Sequence, residues 1–98
     1  MKFRLAPSAI SEIETILQGL AAESAVGAMA VAARFDQVFR KIEDFPAIGK
    51  PTNRKNMRCA NTHPYPYFIF YKTSSSLIEV VAVRHGARSP RSMPARPR

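Results

Sequence analysis

The sequence predicts an α+β fold: an N-terminal strand, then an antiparallel helical hairpin packed on a twisted, mostly antiparallel sheet, in the order β-α-α-β-β-β. Three observations carry this expectation. Residues 67–71 (YFIFY) and 77–83 (LIEVVAV) are aromatic and β-branched runs separated by a polar turn at 73–76, the signature of a β-hairpin. Ile10, Ile13, Ile16, Leu17 and Leu20 recur at spacings of three and four, and Ala28, Val31, Ala32, Phe35, Val38, Phe39 and Ile42 continue that rhythm, so each stretch presents one apolar stripe of a helix. A length of 98 residues fits one domain with a modest core.

Taken in order, residues 1–5 alternate Lys2 and Arg4 with Phe3 and Leu5, as a strand with one buried side does. Pro7 suits a first helical position, and Ser8 or Ser11 is the expected cap, Ser11 standing at capping-box spacing from Glu14. The helical rhythm breaks at residues 22–27, and the small residues Gly27, Ala28, Ala30, Ala32 and Ala33 let the two helices approach closely. The second helix should end at Phe45, because Pro46 disfavours helical backbone before it. Residues 47–51 (AIGKP) form a turn-rich connector, residues 57–60 a short strand with Met57 and Cys59 inward, and residues 64–66 (PYP) the turn into the central hairpin.

Alternation places Tyr67, Ile69 and Tyr71 on one face of the hairpin and Phe68 and Phe70 on the other, while Ile78, Val80 and Ala82 oppose Val81 and Val83. Both faces are apolar, so the sheet needs two covers. The helical hairpin supplies one, and a partner molecule is expected to complete the other. The tyrosines are read as packing residues with surface hydroxyls.

Charge is divided along the chain. Residues 1–49 carry five Lys and Arg against six Asp and Glu, whereas residues 50–98 carry ten against Glu79 alone, within a net charge of +8. Such asymmetry points to an acidic partner or a phosphate backbone, or serves solubility alone. Residues 89–98 (SPRSMPARPR) follow the expected domain at residues 1–88 as a basic tail that cannot build a core, so it is expected to be an unpacked appendage that assists target binding. Cys59, the only cysteine, reads as core filler; His63 and His85 have no ligand-type residues at metal spacing, and no signal-peptide or membrane-span pattern is present. A cytoplasmic, cofactor-free protein is expected.

In this order the strand, the helix pair, the connector FPAIGKP, the basic strand around Arg58, the segment YFIFY and the run VRHGAR at 83–88 resemble the ParE/RelE toxin superfamily of bacterial toxin–antitoxin modules over nearly the whole chain. The resemblance implies a toxin domain over residues 1–88 and a cognate antitoxin, with a plasmid-stabilisation role. Two target classes are implied. ParE-like members inhibit DNA gyrase; RelE-like members are ribosome-dependent messenger RNA endonucleases. RNA cleavage needs an acid, a base and cations on the developing charge, for which Arg58, Arg84, His85 and Arg88 are the candidates. The tyrosine that many RelE-like enzymes place after the last strand is missing from GARSP at 86–90, so gyrase inhibition is the favoured expectation. An inactive, antitoxin-binding relative is the remaining alternative. For partner contact the expected residues are Arg58, Arg84, His85 and Arg88, with Ile16 and Phe35 in an apolar groove that takes an acidic, amphipathic antitoxin segment; Gly86 is expected to give the turn after His85 its permissive backbone.

Overall fold

The computed structural model describes residues 1–87 and 93–96. Among them the chain order is β1 (Lys2–Leu5), α1 (Pro7–Glu23), α2 (Ala25–Asp44), β2 (Lys50–Pro51), β3 (Met57–Thr62), β4 (Tyr65–Thr73) and β5 (Leu77–His85). The strands form one sheet in the order β1-β5-β4-β3-β2, parallel between β1 and β5 and antiparallel elsewhere. This is the α+β architecture that the residue pattern predicts, with β2 as an addition cut from the connector.

The helix boundaries have local causes. Pro7 opens α1 behind Ala6, which offers no side-chain cap. The expected serine cap gives way because the Ser8 hydroxyl donates instead to the Val81 carbonyl at 2.9 Å. Ser24 both ends α1 and starts α2, its Oγ accepting the Gly27 N–H at 3.0 Å, a cap worth about 1 kcal/mol. Phe45, immediately before Pro46, closes α2.

One face of the sheet meets the helices. Val31, Phe35, Val38 and Ile42 of α2 pack with Tyr67, Ile69, Tyr71, Ile78, Val80 and Val83. Phe35 is 2% exposed and lies edge-on to the Tyr67 ring at 5.5 Å; burial of such a side chain stabilises by roughly 1.5–3 kcal/mol.

A bulge changes the pattern in β5. Phe70 pairs with Ala82 and Tyr71 with Val80, leaving Val81 as the extra residue. Beyond it the alternation shifts by one, so Ala82 joins Phe70, Met57 and Cys59 on the second face instead of Ile78 and Val80 on the first.

The second face is covered in part by the chain itself, which corrects two expectations. Ala95, 6% exposed, and the half-buried Met93 pack against Met57, Cys59, Phe70 and Ala82. Reciprocal hydrogen bonds hold this segment: Asn53 N–H to the Arg96 carbonyl at 2.7 Å and Arg96 N–H to Asn53 Oδ1 at 2.8 Å. Residues 93–96 are thus packed, and the second face is not left wholly to a partner. Met93 and Ala95 are the only apolar residues of the tail besides its prolines, and their spacing of two puts both on one side of an extended segment. The remainder of the expected tail, residues 89–92 and 97–98, lies outside the described residues, as does Arg88.

The open edge of β5 beyond β1 is closed by the start of α1. Ala6 N–H donates to the Val80 carbonyl, Ser8 to that of Val81, and Val83 N–H to Glu12 Oε1 at 2.8, 2.9 and 3.0 Å. Main-chain groups that a further strand would have used are thereby satisfied.

Candidate functional site

Arg84 and His85 end β5 and diverge. Arg84 pairs in register with Phe68, of the second face, and His85 with Tyr67, of the helix face. The Arg84 guanidinium reaches around the strand edge to Glu12, Nε to Oε2 at 2.6 Å. The His85 ring stands edge-on to Tyr67 at 5.4 Å, and its Nδ1 accepts the Ala87 N–H at 3.0 Å, which leaves Nε2 to carry the ring proton. Beside it, Ser11, Glu12, Thr15, Ile16 and Val83 line a hollow of about 200 Å³. Ile16 and His85 are thus brought together, while Phe35 stands in the core. Gly86 has no left-handed backbone; its missing side chain matters instead because a Cβ would lie 3.3 Å from both the Phe68 ring and the Pro66 carbonyl oxygen.

Arg58 sits elsewhere. It is on β3, two strands from β5, opposite Tyr71. Its Nη1 donates to the carbonyls of Ala47 and Gly49 at 3.2 and 2.8 Å, so it clamps the connector after α2. Tyr71 holds the same connector from below, donating to the Pro46 carbonyl at 2.8 Å and accepting the Gly49 N–H at 2.9 Å. The tyrosine is 0% exposed, so its hydroxyl is not at the surface as expected, and burial raises its pKa above the ordinary phenol value.

With the connector fixed, an elongated groove of about 480 Å³ opens between α2 and the β3 edge, lined by Arg34, Val38, Lys41, Ile48, Lys50 and Phe68 among others. Arg34 donates to the His63 carbonyl and to Gln37. Among the described residues no carboxylate lines the groove. Ile48 is 52% exposed on its wall. Sequence reasoning missed this groove, Glu12 and the Tyr71–Gly49 link; the available signal was Ile48, an apolar residue in a connector with no strand or helix period to bury it.

Cys59 faces the second core cluster. Burial pushes its thiol up to about 11 from an ordinary 9.0, with Lys50 pulling weakly the other way. The folded state therefore favours the protonated thiol: its contribution is whole below about pH 9 and is lost as the pH rises to about 11. At pH 8 an aromatic disulfide reagent should react roughly 100-fold more slowly with native Cys59 than with the unfolded chain; equal rates would show an exposed thiol. Among the described residues no group of three or more His, Cys, Asp or Glu is placed to hold a metal ion, and no helix is long and apolar enough to cross a membrane.

The family described as the ParE toxin of the type II toxin-antitoxin system parDE matches residues 3–90. Among solved structures, a chain of the chromosomal ParDE TA system from P. aeruginosa superposes with a TM-score of 0.65 at 10% identity, over 87% of this chain and 95% of that one. At that identity the likeness establishes the fold alone. No curated protein sequence matches.

Proposed function

The chain belongs to the ParE toxin family of type II toxin–antitoxin systems, and from that premise we propose that it acts by binding and inhibiting DNA gyrase. Membership makes an antitoxin its partner. The observation that carries the gyrase reading is that the cations among the described ribonuclease candidates are already engaged: Arg84 is ion-paired with Glu12, and Arg58 spends its guanidinium on the connector carbonyls. An acid, a base and a cation acting on one phosphate must converge within hydrogen-bond reach, but Arg58 is two strands away on the connector and the Arg84 guanidinium is neutralised by Glu12 beside His85.

Expression of the protein should accumulate stalled gyrase–DNA cleavage complexes. His85→Ala should leave toxicity within a few-fold of the parent, whereas loss of a general acid or base costs on the order of 10² to 10⁴ in rate. Cleavage of ribosome-bound messenger RNA by the purified protein, abolished in His85→Ala, would replace this reading with the RelE-type one.

The antitoxin is proposed to seat an acidic, amphipathic segment in the groove between α2 and β3, with an apolar anchor on Ile48 and carboxylates near Arg34, Lys41 and Lys50. Apolar anchors dominate affinity, while rim charges mainly set association rate and salt response. Ile48→Asp should therefore weaken antitoxin binding at least 30-fold, and Lys41→Gln should slow association with a smaller change in dissociation. If Ile16→Asp abolishes binding and Ile48→Asp does not, the antitoxin docks on the α1 side beside His85 instead.

A further inference from the structure

From Phe45 to Ile78 the chain contains no Asp or Glu but carries Lys50, Arg54, Lys55, Arg58 and Lys72. The fold gathers these cations at one end of the sheet. The β2–β3 loop is internally tied: Thr52, 1% exposed, donates its hydroxyl to the Met57 carbonyl at 2.9 Å, the Arg54 N–H donates to Thr52 Oγ1 at 3.2 Å, and Asn56 takes a left-handed backbone at φ 61°. The end of β4 is fastened to it by Thr73 N–H to the Asn56 carbonyl at 3.0 Å, which brings Lys72 alongside. Arg96 arrives through its hydrogen bonds with Asn53. Lys50, Arg54, Lys55, Lys72 and Arg96 are all exposed, and Arg54, Lys55 and Arg58 line a hollow of about 270 Å³. The nearest carboxylate in register, Glu79 opposite Lys72, is bound by Arg4 at 2.9 Å.

We infer that this end of the sheet is a binding surface for the phosphate backbone of duplex DNA. Two features favour a nucleic acid over an acidic protein. Among the described residues, none of the large exposed apolar side chains, Met1, Ile10, Val26, Met29, Phe45 and Ile48, lines the hollow, so it offers none of the anchors that give a protein interface its affinity. A phosphate backbone needs none, because array charge and counterion release suffice. Among the described residues the hollow also has no aromatic lining on which unpaired bases would stack, which points to a duplex. The inference goes beyond gyrase inhibition and concerns free DNA, so its failure would leave that reading standing.

The test is fluorescence anisotropy of a labelled 20-base-pair duplex DNA titrated with the full chain between 50 and 200 mM salt. Four phosphate contacts predict a slope of log K against log salt of about −3.6, or roughly a 100-fold loss across that range. Arg54→Gln/Lys55→Gln, checked for an unchanged melting temperature, should flatten the slope by about 1.8. Arg34→Gln/Arg40→Gln removes the same charge from α2, Arg34 lying beside the β3–β4 turn at the other end of the sheet, and should leave the slope in place. Equal flattening by both pairs, or binding without salt dependence, would overturn the assignment. Tighter binding of a duplex RNA would reassign the surface to RNA, and competition by polyglutamate at equal charge concentration would reassign it to an acidic protein.

Discussion

Gly49→Ala is expected to destabilise the protein by about 2–3 kcal/mol, the range for forcing an extra methyl group into a packed site. In a domain of this size that lowers the melting temperature by roughly 10–20 °C. A Cβ at Gly49 would stand 2.7 Å from the Tyr71 hydroxyl oxygen, 2.8 Å from its ring and 3.1 Å from the Cys59 carbonyl oxygen. None of these can move aside easily, since Tyr71 is fully buried in a central strand and Cys59 is paired on β3. Tyr71→Phe should cost about 1–3 kcal/mol by a different route, stranding the Gly49 N–H and the Pro46 carbonyl. The two changes share the hydroxyl, so in a double-mutant cycle their sum should exceed the double variant by about 1 kcal/mol. Strict additivity in chemical denaturation would show that the hydroxyl is not the point of contact. Because the connector carries Ile48, antitoxin affinity should fall with it.

Ending the chain at Arg88 is expected to lower the melting temperature by roughly 5–10 °C. The truncation uncovers Met57, Cys59, Phe70 and Ala82 and removes both hydrogen bonds to Asn53. Replacing a buried methyl group and part of a methionine with water amounts to about 1–2 kcal/mol, and each kcal/mol moves the melting temperature of a small domain by roughly 4–8 °C. Ala95→Asp should reproduce most of the loss by placing a charge on the apolar face, whereas Arg91→Gln/Arg98→Gln should change little. A truncated chain that melts with the parent would return residues 93–96 to the role of an appendage.

Features that repeat along the chain were legible before the structure. The alternation of Phe68 and Phe70 against Tyr67, Ile69 and Tyr71 survives intact, as do the helix break at Ser24 and the stop before Pro46. What was not legible depends on single residues meeting across the sequence. Val81 bulges inside the continuous apolar stretch 80–83 (VVAV), so the displacement of Ala82 has no local sign. Glu12 meets Arg84 and Val83 from the far end of the chain, and as a lone acid on an amphipathic helix it looks like a solvated face. Tyr71 and Gly49 each satisfy a local rule, strand former and turn former, that conceals their contact. Of the site residues, composition located the basic half of the chain but not its division: Arg58 went to the connector, Arg84 to a helix, and Arg54 and Lys55 to the loop between β2 and β3.

The pairing of Lys2–Leu5 with residues 77–80, followed by the grip of α1 on Val81 and Val83, also has a consequence for biosynthesis. The first strand and first helix emerge from the ribosome long before the strand that completes them exists. Until β5 is released, the helical hairpin has no finished surface to lie on, and closing so long a loop belongs to the slow class of folding events. A ribosome that stalls or terminates anywhere before Val83 therefore yields a chain that cannot close its sheet. Closure of this sheet is therefore tied to the last stage of synthesis, when residues 77–83 become available to Lys2–Leu5 and Glu12.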